Sequence, residues 1–177
     1  MYAAAPGLID QDVILMLNDD DWFAPDHVES LVGLIERENL VWAYSHRKIH
    51  DADGAYLFDD VCESLGEAHD VWNIPGHRFV ETCSIAMRTP AYVQCAQVFN
   101  WPSPVNDRVF YDTARRLFPR FGGTNRATIN FRLGGNPGSV TREYFEAGNA
   151  AMLARYPKGL PWRAGICQIE PDREIVV

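Results

Sequence analysis

The sequence predicts an α/β fold, a mixed sheet flanked by helices, because strand-like and helix-like stretches alternate along it. Short unbroken apolar runs, such as Val13-Ile14-Leu15-Met16-Leu17, have the length of buried strands. Between such runs apolar residues recur every three or four positions, as at Val28, Leu31, Val32 and Ile35, which marks one face of a helix. The size is set by 177 residues, 47% hydrophobic and 23% charged, enough to bury one sizeable core. A domain over 1–157 with a patternless tail over 158–177 is therefore expected.

Taken in order, residues 2–8 read as the end of a helix and 12–17 as a buried strand. Asp26 and Glu29 have capping-box spacing and start a helix through Ile35. Residues 40–45 read as a second strand. Asp51-Ala52-Asp53-Gly54 is a turn leading into a hairpin strand at 55–58; it lacks the remaining ligands of a calcium loop. A polar stretch at 63–70 precedes a strand at 79–87. Thr89-Pro90 opens a helix towards Phe99, with proline in its first turn. Trp101-Pro102-Ser103-Pro104 is an irregular loop. From Asn106 the spacing of Val109, Phe110, Ala114, Leu117 and Phe118 predicts another helix, with Arg115 and Arg116 where cations suit its dipole. Residues 127–133 form a strand, 134–138 a glycine-rich loop, and 141–156 a last helix.

Composition excludes several classes. A net charge of -8 argues against a nucleic-acid surface, which needs clustered Lys and Arg. No uninterrupted apolar stretch approaches the ~20 residues of a membrane span, and the first residues lack the charged and apolar regions of a signal peptide. A cytoplasmic location is expected. Cys62, Cys83, Cys95 and Cys167 show no zinc spacing and are expected as free thiols. His46 and His50 lie four apart, yet in strand-like surroundings, so they read as structural or solvent-facing.

The densest chemical signal is Asn18-Asp19-Asp20-Asp21, directly after the first apolar strand and closed by Trp22-Phe23-Ala24-Pro25. Clustered carboxylates repel one another, and a divalent cation with oxygen ligands offsets that repulsion. Mg²⁺ or Mn²⁺ favours one or two protein carboxylates together with the oxygens of a bound phosphate. A solvated acidic turn that merely ends a strand stands beside this reading.

These residues, with Trp22, Pro25 and the following helix, resemble the metal-binding segment of family 2 glycosyltransferases of the GT-A fold, in particular the SpsA-like enzymes. Later pieces follow in the family's order. Cys83-Ser84-Ile85-Ala86-Met87-Arg88 resembles the acceptor-side strand, Asn106-Asp107-Arg108 the segment with the catalytic base, and Phe131-Arg132 through Ser139-Val140 the late strand and loop. The similarity spans 12–156. It implies a partial GT-A fold and a metal-dependent, inverting transfer of a sugar from a nucleoside-diphosphate sugar to a saccharide or other hydroxyl acceptor.

By the same resemblance, Asp20 is the main ligand of the cation, Mn²⁺ or Mg²⁺, which stabilises charge on the departing diphosphate. Asp19 supports it, towards the metal or the nucleotide sugar, and Asp21 orients the group from outside or serves as a helix-entry turn. Asn18 stands where many members have Asp. Asp107 takes the role of base, at a helix N-terminus where free N–H groups stabilise an anion; an ordinary N-cap would look the same. Asp112 is the fallback. Arg132, Asn136, Ser139 and Arg142 surround the glycine-rich loop and could hold a diphosphate, or cap the last helix. Trp22, Trp72 and Trp101 suit the apolar faces of sugar rings, with Trp22 and Trp101 assigned to the acceptor side, and core packing is the alternative for each.

The nucleotide-binding half with which GT-A enzymes begin has no counterpart in this sequence. The expectation is a sheet with an open edge, completed by another chain or by homo-oligomer formation. Two further functions remain: a non-catalytic fragment or carbohydrate-binding module keeping the acceptor side, and a metal-dependent phosphate-ester hydrolase using the same acidic cluster.

Overall fold

The computed structural model describes residues 10–63, 78–134 and 140–160. Six strands form one mixed sheet and four helices pack around it: β1 Val13–Leu15, β2 Trp22–Phe23, α1 His27–Arg37, β3 Trp42–His50, β4 Tyr56–Asp59, β5 Ile85–Arg88, α2 Thr89–Cys95, α3 Asn106–Leu117, β6 Phe121–Arg132 and α4 Arg142–Arg155. The strand order is β1-β5-β3-β6-β2, and β4 pairs with the far half of β3. β5 runs antiparallel to both β1 and β3, whereas β3 and β6 are parallel. β1, β3 and β6 therefore point the same way.

Strand alternation sends neighbouring side chains to opposite faces, and both faces are covered. Trp42, Tyr44, Ile85 and Met87 join Tyr92, Phe110, Tyr111 and Ala114 in a core beneath α2 and α3. Ala43 and Ala86, small residues on the other face, leave room for Leu31 and Ile35 of α1. Trp42 anchors the larger core: its ring stacks on Phe121 at 4.0 Å and its Nε1–H donates to the Phe118 carbonyl at 2.8 Å. A third cluster joins Ile49 to Phe145 and Met152 of α4.

Three local expectations are corrected. The Asp26 side chain makes no capping bond to α1; its carboxylate pairs instead with the Arg126 guanidinium on β6, so a cross-element charge outcompetes the local cap. The helix ends in a Schellman-type turn, with Asn39 at φ 50° and the Leu40 N–H donating to the Ile35 carbonyl at 2.8 Å. Second, the strand expected at 40–45 continues to His50, and the one expected at 127–133 begins at Phe121. Both extensions contain polar residues or glycines that hide a strand from pattern reading; Ser45, His46, Arg47 and His50 are all buried. Third, Phe79 and Val80 are buried without being strand, and a 3-10 turn at Thr82–Ser84 precedes β5.

Other elements match expectation. In the β3–β4 hairpin, Asp51 Oδ1 accepts from the Asp53 and Ala55 N–H groups, and Gly54 takes φ 87°. α2 carries Pro90 in its first turn. α3 forms as expected, but of its expected apolar face Phe110 and Ala114 are buried, with Tyr111, whereas Val109 and Leu117 lie at the surface, a correction to that reading. The Thr141 hydroxyl caps α4. Cys62, Cys83 and Cys95 are buried free thiols. The helix end expected at 2–8, the polar stretch beyond Glu63, Trp72, Asn136, Ser139, Cys167 and the tail from 161 lie outside the described residues. Among the described residues no helix is long and apolar enough to cross a membrane.

Candidate active site

The acidic loop leaves the carboxyl end of β1, and its three aspartates have different surroundings. Asp19 is exposed, Asp20 partly exposed and Asp21 buried. Asp21 Oδ1 accepts from the Arg132 backbone N–H at 3.0 Å, and Oδ2 accepts from Asn18 Nδ2 at 3.2 Å. Burial, with the nearby Asp20 charge, still holds the Asp21 carboxyl above its ordinary pKa. Asp21 thus clasps the loop to the end of β6. No hydrogen bond or ion pair among the described residues engages the Asp19 or Asp20 carboxylate.

β2 continues from the loop and pairs with β6, Trp22 opposite Asn130. The Trp22 ring packs on His50 at 4.6 Å, and the Arg132 guanidinium lies 5.3 Å from the ring centre. Asn130 donates to the Trp22 carbonyl and meets His50 Nε2 at 3.0 Å. Arg132 Nε is buried and has no hydrogen-bond partner among the described residues. Asp21, Trp22 and Arg132 are therefore one assembly, a cation over an aromatic face at the closing end of the acidic loop.

Behind the loop lies a charged cluster that pattern reading missed. Arg47, only 2% exposed, donates Nε to Asp60 Oδ2 at 2.7 Å and Nη2 to Glu63 Oε2 at 2.6 Å. Burial alone would lower the pKa of Arg47, but the charges of Asp60, Glu63 and Glu81 outweigh it and hold the guanidinium firmly protonated. Asp60 likewise ionises more readily than an ordinary aspartate: burial opposes this, and Arg47 together with the Glu63 and Cys62 N–H donors wins. Glu81 is pushed up, by burial first and then by Asp21. It caps the 3-10 turn by accepting from the Cys83 N–H at 2.8 Å. The sequence signal was an arginine inside a strand-like run, followed thirteen and sixteen positions later by acids.

Asp107 lies in the first turn of α3, partly buried, and Oδ1 accepts from the Arg108 N–H at 2.8 Å. The helix cap is Val105, so the N-cap alternative for Asp107 is set aside. Asp112 is exposed further along α3. Trp101 is 76% exposed in the loop before α3, and its carbonyl accepts from Asn106 Nδ2 at 2.6 Å. Trp22, by contrast, is packed at the sheet edge. Arg142 stands on the exposed side of α4, where its Nε donates to Glu146 at 2.7 Å.

A divalent cation can be tested against these donors. Among the described residues no three His, Cys, Asp or Glu side chains group as a metal cage. The protein would contribute Asp19 and Asp20, hard oxygen donors that no described residue engages, which suits an ion completed by phosphate oxygens and water. No protein-family model matches the chain, and no curated protein matches its sequence.

Proposed function

We propose that the chain carries the metal- and acceptor-binding side of a glycosyltransferase of GT-A type, which transfers a sugar from a nucleoside-diphosphate sugar to a hydroxyl acceptor. The observation that supports this reading best is the division of labour in the acidic loop. Asp21 is committed inward to the Arg132 N–H, no described residue engages the Asp19 or Asp20 carboxylate, and the Arg132 guanidinium lies over Trp22, the residue that follows Asp21. Two carboxylates that no described residue engages and a guanidinium held on an aromatic face are the complement of a divalent cation bound to a diphosphate. The position suits a ligand site as well, since parallel strands of α/β sheets offer their carboxyl ends to ligands.

In this reading Asp20, supported by Asp19, holds Mn²⁺ or Mg²⁺, which when bound neutralises charge on the departing diphosphate. Arg132 supplies a fixed positive charge to the phosphates without needing to reorient. Asp107 accepts the acceptor hydroxyl's proton as that oxygen attacks the sugar carbon, giving inversion. Ser139 and Arg142 are assigned to the diphosphate and Trp101 to the acceptor, whose apolar ring face an exposed indole can cover.

Calorimetric titration of the chain with UDP and dTDP, with and without Mn²⁺, tests the reading. Metal-dependent binding, abolished by Asp20→Ala, is expected. Exposed Trp101 also favours a second reading, a carbohydrate-binding module, which would bind saccharide with no dependence on nucleotide or metal.

A further inference from the structure

Glu63 is tied to more elements than any charge balance requires. Arg47 already has a complete partner in Asp60, which also accepts the Cys62 and Glu63 N–H groups at 2.9 Å each. The Glu63 carboxylate is 5% exposed and divides its oxygens. Oε2 accepts from Arg47 of β3, while Oε1 accepts from Arg108 Nη2 of α3 at 3.2 Å and from the Tyr144 hydroxyl of α4 at 2.6 Å. One buried side chain thus joins the sheet to both helices. Buried ion pairs contribute little net stability, so geometry is the better reason for such a junction.

Arg108 connects Glu63 to the start of α3. It is a cation in the first turn of a helix, where the dipole opposes positive charge, and Val105 offers no side-chain cap. Its guanidinium is nevertheless held, 4.5 Å from the Phe79 ring centre and bonded to Glu63. The Arg108 N–H in turn donates to the Asp107 carboxylate. A contact that offsets an unfavourable charge at that end of α3 places the turn bearing Asp107.

We propose that Glu63 is a positioning residue: through Arg108, with Tyr144 as its second brace, it sets the first turn of α3 and hence the Asp107 carboxylate relative to the sheet. Its catalytic consequence rests on the glycosyltransferase reading. The test compares Glu63→Gln, Tyr144→Phe, Arg108→Gln and the Glu63→Gln/Arg108→Gln double variant, by sugar-transfer kinetics and by amide hydrogen exchange over residues 109–111. Expected are a fall in kcat of tenfold or more for Glu63→Gln with the donor KM unchanged, and a smaller fall for Tyr144→Phe. Faster exchange confined to the start of α3, and a double variant no slower than the worse single one, complete the expected result. Unchanged exchange and kcat in both Glu63→Gln and Tyr144→Phe, or additive losses in the double variant, would overturn the proposal. Failure of the wild-type chain to transfer any sugar would overturn the glycosyltransferase reading instead, and the exchange data would still decide for or against the role of Glu63.

Discussion

His27 is fully buried at the start of α1, and its protonation should couple stability to pH. Nδ1 lies 2.8 Å from the Thr128 hydroxyl, the ring stacks on Phe23 at 4.2 Å, and Nε2 has no partner among the described residues. Burial lowers its pKa from 6.5 to about 4, against the weaker pull of Asp26 in the other direction. The unfolded chain therefore takes up the proton first. The stability contributed by the neutral ring is fully present above about pH 6.5 and is lost as pH falls towards 4. At about 1.4 kcal/mol per unit, the loss between roughly pH 7.5 and 4.5 is about 2–3 kcal/mol. Asp21 and Glu81, whose pKa values are raised, act in the opposite direction, gaining stability as pH falls. The informative quantity is thus the difference between the wild type and His27→Phe, which keeps the ring on Phe23 but cannot titrate. Urea denaturation of both across this range should show the gap shrinking by about that amount in acid. A gap independent of pH would refute the argument.

Two further perturbations probe the scaffold. A Cβ added at Gly123 would stand 2.7 Å from the Tyr44 ring, so Gly123→Ala should cost roughly 1–3 kcal/mol in denaturant unfolding, and Gly33→Ala, with open space around it, should not destabilise through steric contact. Arg47→Met leaves Asp60 buried without its cation, while Glu63 keeps Arg108, and should cost about 3–5 kcal/mol; replacing Arg47 and Asp60 together with apolar residues of similar volume should recover much of that loss in the same assay.

The layout of alternating strands and helices was legible because each amphipathic face has a simple period. The start of α2 at Thr89, the Asp51 turn and the Thr141 cap follow from local chemistry that the residues themselves declare. The far half of β3 was not legible. His46, Arg47 and His50 break an apolar pattern, yet they are buried because partners distant in sequence, Asp60, Glu63 and Asn130, meet Arg47 and His50. The same limit applies to the site. The acidic loop was visible as a run of neighbours, whereas the distinction between committed Asp21 and unengaged Asp19 and Asp20 depends on the Arg132 N–H, 111 residues away. Asp26 shows the opposite error, a local capping signal overruled by Arg126.

The glycosyltransferase reading stands on Asp19 and Asp20 holding a divalent cation jointly with a diphosphate. Electron paramagnetic resonance of Mn²⁺ reads this directly, because the sharp signal of the free ion diminishes on binding. Relative to Mn²⁺ and the same nucleotide without protein, which themselves form a complex, the reading predicts a further stoichiometric loss of signal when the chain is added with UDP or dTDP, little loss with Mn²⁺ and the chain alone, and no further loss with Asp20→Ala. A signal with folded wild-type chain and either nucleotide that equals that of the protein-free mixture would contradict it.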